Sequence, residues 1–186
     1  MRNKAPRDER GHSLRIYDDV FDSAAYASLS PHDVLAYLAL LRQLLAYNNG
    51  DLSLPLSKAK QYGVKHHLTL ARSLRALCAV GLIAMTRKGG ATKGGQRLAT
   101  LYRITDRDCY EIPKKGIEAR VATNEWKKVC SAEQGAVMIQ AYEQANSRAS
   151  KLKHVGHAVM LTTTPADSFS TLTTTRGDIQ LKTMSH

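Results

Sequence analysis

The stretch TRKGGATKGGQR (86–97) sets four glycines and four basic residues between two short apolar-rich segments, LIAMTRK (82–88) and LATLYRIT (98–105). Nothing else in the chain narrows its folding as much. Two β-prone segments this close in sequence pair as an antiparallel hairpin, and the glycines predict a flexible loop longer than the roughly two to five residues of a tight hairpin turn. Long loops of this kind carry function. One candidate function fails on spacing. A phosphate-cradling loop needs a lysine and then a hydroxyl residue straight after its last glycine, yet counting from Gly89 puts Gly95 at the lysine position, and counting from Gly90 puts Gln96 there. The stretch therefore reads as a basic finger that lies against a polyanion.

What precedes the hairpin is predicted helical. Residues 30–47, SPHDVLAYLALLRQLLAY, begin with Ser30 as a cap, Pro31 at the first helical position and Asp33 at the positive end of the helix dipole. Val34, Leu38, Leu41 and Leu45 recur at spacings of four, three and four and are expected on one buried face. Asn48, Asn49 and Gly50 are expected to stop this helix. DLSL (51–54) alternates like a short strand before Pro55. Ser57 then caps a short predicted helix, SKAKQY, closed by Gly63, in which Ala59 offers a small seat for a neighbouring helix. A third helix follows in VKHHLTLARSLRALCAV (64–80) and ends at Gly81. Leu70, Leu74 and Leu77 face inward with Ala71 and Cys78 beside them, and His66, Thr69, Arg72, Ser73 and Arg75 lie on the other side.

Charge is segregated in the same region. Of the net charge of +11, residues 30–105 carry eleven basic side chains against two acidic, or +9, whereas residues 1–29 and 106–150 each sum to zero and 151–186 add +2. A basic excess confined to 76 residues is the footprint of a nucleic-acid surface.

The order helix, short strand, helix, turn, helix, strand, basic loop, strand is carried by NNGDLSLPLSKAKQYGV (48–64), LARSLRALCAVGLIAMTRKGG (70–90) and LYRIT (101–105). It resembles the winged helix-turn-helix class, in particular the small bacterial and mobile-element proteins that share this core with plasmid replication initiators and transcription regulators. The expected fold is mainly α with a small β-hairpin (α+β). A lead-in at 1–29 precedes a winged-helix core at 30–105, followed by a connecting segment with a C-terminal helix at 106–150 and a Ser/Thr-rich, disordered tail at 151–186. The resemblance implies binding of double-stranded DNA in a cytoplasmic, nucleoid-associated setting. Transcription regulation is the leading expectation, with plasmid or phage replication initiation as the alternative; some winged helices bind protein instead.

In that class the second helix of the pair enters the major groove and the first crosses the backbone. The residues so implicated are Lys58 and Lys60 on the first helix; Lys65, His66, His67, Thr69, Arg72, Ser73 and Arg75 on the second; and Arg87, Lys88, Lys93 and Arg97 in the wing. Arg72 is the favoured base reader, because its planar fork matches O6 and N7 of guanine, a contact worth about 1–3 kcal/mol of discrimination.

Other chemistries find little support. Cys78, Cys109 and Cys130 form no C-x-x-C pair. The adjacent His66 and His67 point about 100° apart on a helix, and His154 and His157 have no nearby carboxylate or cysteine to complete a metal site. The basic segment has only Asp33 and Asp51 as carboxylates, so no catalytic site, cofactor or metal is expected. No window approaches the roughly 18 apolar residues of a membrane span. Ile16, Tyr17, Val20, Phe21 and Tyr26 are expected to pack on the first helix, and Trp126 to anchor the segment after the wing. In SAEQGAVMIQAYEQANSRAS (131–150), Ser131 and Gln134 resemble a capping box, and Met138, Tyr142 and Ala145 share a face that packs on its own domain or on a second copy in a homodimer. The tail is a candidate tether for a replication or transcription partner.

Overall fold

In the computed structural model the described residues are Gly11, 13–92 and 94–162, with side chains described as far as Ala149. The described residues as far as Ala149 form one compact unit. Two single-turn helices, α1 (Asp18–Phe21) and α2 (Ala24–Ala27), precede α3 (Pro31–Leu41). Then come α4 (Leu56–Gln61), α5 (His67–Ala79), four strands, β1 (Ile83–Arg87), β2 (Gly90–Ala91), β3 (Arg97–Leu98) and β4 (Leu101–Ile104), and a long α6 (Ala132–Thr162). The molecule is mainly helical, with small antiparallel two-strand sheets.

α3 starts as its sequence dictates. The amide and hydroxyl of Ser30 both donate to Asp33 Oδ2, at 2.9 and 2.7 Å, which satisfies a backbone donor that the first helical turn leaves free, a cap worth about 1 kcal/mol. Its end and its buried face differ from expectation. The helix stops at Leu41, and the chain turns at Arg42 and Gln43. Of the expected face only Leu41 is buried: Val34 and Leu38 are half-buried and Leu45 is exposed. The core is reached instead by Ala36, Tyr37, Ala39 and Leu40. The helix is apolar around most of its circumference, so leucine spacing alone does not fix which side turns inward.

α4 begins two residues earlier than Ser57 suggests, with Pro55 as its N-cap. Ala59, fully buried, accepts the amide of Val64 at 3.1 Å, closing the turn at Gly63 that leads into α5. α5 packs on α3, α4 and β1. Leu70, Ser73, Ala76 and Leu77 are its buried positions, and Gly81, at φ +75°, ends the run. The same core gathers Leu52, Val64, Leu82, Ile83 and Ile104 from the middle of the chain, Val20 and Ala25 from before α3, and Trp126 and Val129 from after the strands. Trp126 thus packs as expected, and Tyr26 meets Tyr37 edge-on at 6.3 Å, whereas Tyr17 and Phe21 stay exposed. Each large apolar side chain fully buried there contributes about 1.5–3 kcal/mol.

The hairpin is more regular than its glycines predict. β1 pairs with β4 from Ile83↔Ile104 to Met85↔Tyr102, then shifts register at a bulge so that Arg87 faces Leu101. Gly90↔Leu98 and Ala91↔Arg97 continue the pairing outward. At the tip the Thr92 amide donates to Gln96 O at 2.8 Å and the Gly95 amide to Thr92 O at 2.9 Å. The expected open loop is therefore a paired arm with a tight end. On the other side of β4, Leu52 bridges Tyr102, all that forms of the strand expected at 51–54.

α6 opens with Gln134 N donating to Ser131 Oγ at 3.2 Å and Gln134 Oε1 accepting from Cys130 N at 2.7 Å, close to the expected capping box. It continues to Thr162, past the expected end at 150. The rest of the expected tail, 163–186, and the partner assigned to it lie outside the described residues. Among the described residues no helix is long and apolar enough to cross a membrane.

Candidate nucleic-acid interface

The α4–turn–α5 unit and the hairpin arm hold most of the cations singled out in the sequence. Lys58 and Lys60 are exposed on α4, and Lys58 Nζ lies 3.4 Å from Gln43 Oε1. Lys65, His66 and His67 are exposed at the start of α5, with His66 in the N-cap position. Arg72 is exposed one turn later, and Lys88 and Arg97 are exposed on the arm. Lys58, Lys60, Lys65, Arg72, Lys88 and Arg97 make no ion pair among the described residues. None of these charges is neutralised by a carboxylate of the described chain, so each remains available to an anionic ligand.

Four of the expected contacts are less open than the sequence suggests. Ser73 is only 1% exposed and lies beside Ala76 at the floor of a groove rather than on the open side of the helix. A serine is small enough to sit where α5 packs on α3, and the polar side of the helix begins one residue away. Arg75 is engaged: its Nε and Nη2 donate to Glu143 Oε1 and Oε2 at 2.8 and 3.0 Å. Arg87 is half-buried behind the bulge, with Nε out of solvent and lacking an acceptor among the described residues. Thr69 is half-buried in a groove of about 590 Å³ that also takes in Leu68 and Arg72 of α5, Asp33 of α3, and Ile139 and Gln140 of α6. Lys93 lies outside the described residues.

Two side chains at this surface escaped the sequence reading. Leu68 is 71% exposed at the start of α5, four positions before Arg72 and so on the same side of the helix. Its being out of step with Leu70, Leu74 and Leu77 was the available signal. An exposed leucine there is suited to touch the methyl group of thymine. The other is Glu143, whose partner lies far away in sequence.

Around the Arg75–Glu143 pair the phenol of Tyr142 is held above its usual range, chiefly by loss of solvent and further by Cys78, with Arg75 opposing. Burial pushes the Cys78 thiol up to about 12, and Glu125 adds to the effect. Such a thiol is a packing group rather than a nucleophile. No cluster of three or more His, Cys, Asp or Glu side chains fit to hold a metal ion occurs among the described residues, and the side chains of His154 and His157 lie outside them. Models of protein families, curated proteins and solved structures offer no match to the chain.

Proposed function

We propose that residues 30–105 form a winged helix-turn-helix and that the protein acts by occupying double-stranded DNA, with transcription regulation as its role. α5 reads bases through Arg72 and Leu68, α4 crosses the backbone with Lys58 and Lys60, and the arm sets Lys88 and Arg97 on neighbouring phosphates. One observation carries the proposal. Six exposed cations without carboxylate partners among the described residues lie on the two elements a winged helix presents to DNA. The strand arrangement supports it, since the segment before α4 bridges β4 and β4 pairs with β1. Replication initiation on a plasmid or phage origin would use the same surface.

The test is selection of bound duplexes from a random library near physiological salt, about 150 mM, with Arg72→Glu beside the wild type. Enrichment of a motif that the variant loses supports base reading, and a palindromic motif supports a homodimer. Failure to retain any duplex sinks the proposal. That outcome would favour a protein-interaction module, for which the exposed Leu45, Tyr47 and Tyr110 beyond the end of α3 are the feature to examine; the two tyrosine rings meet edge-on at 5.2 Å.

A further inference from the structure

α6 lies against the outer side of α5. Gly135 seats it on the segment after α2: a Cβ there would stand 2.4 Å from Ser28 Oγ, so no larger residue fits without displacement. Met138 and Ile139 reach the core from the next turn. One turn further on, Glu143 closes on Arg75 with both carboxylate oxygens, at 2.8 and 3.0 Å. Arg75 follows Arg72 by three positions, on the strip of α5 that also carries Leu68. A carboxylate that accepts two parallel bonds from a guanidinium occupies the place that a phosphate of the nucleic-acid backbone would take.

Resting on the DNA-binding proposal, we propose that Glu143 is a phosphate-mimicking latch. In the latched state α6 withholds Arg75 from DNA, and when α6 lifts, the guanidinium passes to the backbone. The latch is light. From Glu133 to Ala149 only Gly135 is buried, and the Arg75 and Glu143 side chains retain 29% and 28% exposure. Water and salt therefore screen the pair, which withholds Arg75 while a duplex sits on the six other cations but releases it once the carboxylate charge is lost.

The test compares the full-length protein with Glu143→Gln, Arg75→Gln and the double variant, measuring affinity for a short random-sequence duplex by fluorescence anisotropy at stepped salt. Glu133→Gln is the control, removing the same unit charge from an exposed position of the same helix. Glu143→Gln is expected to tighten binding about two- to fivefold, the size of a partly exposed ion pair. It should also steepen the plot of log K against log salt by about one, the signature of an added phosphate contact. Arg75→Gln removes that gain in the double variant, and Glu133→Gln moves neither quantity. Thermal unfolding of each variant separates a folding defect from a change in binding, and Glu143→Ala serves as a second release variant. The latch is overturned if both release variants match wild type in affinity and slope, if the gain survives without Arg75, or if Glu133→Gln reproduces it. Failure of every protein to hold duplex removes the DNA-binding proposal itself, a result distinct from wild-type binding that the variants leave unaltered.

Discussion

The carboxamide of Asn49 pairs with both backbone groups of Ile104: its Oδ1 accepts the Ile104 amide at 2.7 Å, and its Nδ2 donates to the Ile104 carbonyl at 3.0 Å. The same Nδ2 also faces the carbonyls of Arg107 and Asp108, at 3.0 and 3.1 Å, and the side chain is only 2% exposed. Asn49 thereby pins the end of β4 to the loop that follows α3. Asn49→Ala strands several buried polar groups, each costing about 1–3 kcal/mol, so a loss of roughly 2–4 kcal/mol is expected in urea unfolding. Asn49→Asp should cost more at neutral pH, because a carboxylate would meet the three carbonyls.

Gly81 tolerates no side chain. Its φ is +75°, and an added Cβ would lie 2.8 Å from the carbonyl carbon of Glu125 and 2.9 Å from Trp126 N. Gly81→Ala should lower stability by about 2 kcal/mol or more through backbone strain and the clash. Gly90→Ala, where a Cβ meets nothing within 4 Å, should leave the melting temperature nearly unchanged. Equal losses at both positions would refute the close approach at Gly81.

Thiol labelling gives a check independent of stability. Cys109 is buried, with its Sγ 2.9 Å from Asn49 O, and burial raises its pKa; Cys78, pushed up to about 12, is half-buried; Cys130 is exposed. Iodoacetamide at pH 8 should modify Cys130 rapidly and the other two only as the protein opens. Rapid labelling of two thiols in the folded protein would contradict the packing around Cys78 or Cys109.

Alkaline stability follows from the same burial. Cys78 and Tyr102 are both raised to about 12, from 9.0 and 10.0, chiefly by desolvation. Between the unfolded and folded pKa values the folded state binds more protons than the unfolded one, so stability falls as pH rises. The chain should keep its full contribution from these groups below about pH 9 and lose it progressively toward pH 12. A Cys78→Ala variant should flatten part of that decline.

For DNA itself, five phosphate contacts, from Lys58, Lys60, Lys65, Lys88 and Arg97, predict a slope of log K against log salt of about −4 to −5. Replacing Lys88 and Arg97 together by glutamine should reduce its magnitude by about two. A wild-type slope near zero, measured by anisotropy, would remove the electrostatic basis of the proposal.

Local features of the sequence translated well into structure. The Ser30–Pro31–Asp33 start, the turns at Gly63 and Gly81, the hairpin and the anchoring Trp126 each depend on residues close together in the chain or on one bulky side chain. What did not translate depended on distant partners. Asn49 looked like a helix terminator, but its partners lie 55 to 59 residues away. Arg75 looked like a free cation because Glu143 is 68 residues further on. Ser73 sat on the polar side of a helical projection, and only the packing of α3 against α5 turned it inward.

The bridge between Leu52 and Tyr102 links two regions that the chain order keeps apart. The Leu52 amide donates to Tyr102 O at 3.2 Å, and the Tyr102 amide returns to Leu52 O at 2.8 Å. Tyr102 belongs to β4, on the stem of the hairpin arm, and Leu52 stands four residues before α4. The stem of the arm and the approach to α4 are therefore tied by two hydrogen bonds, so that a shift of β4 carries Leu52 with it.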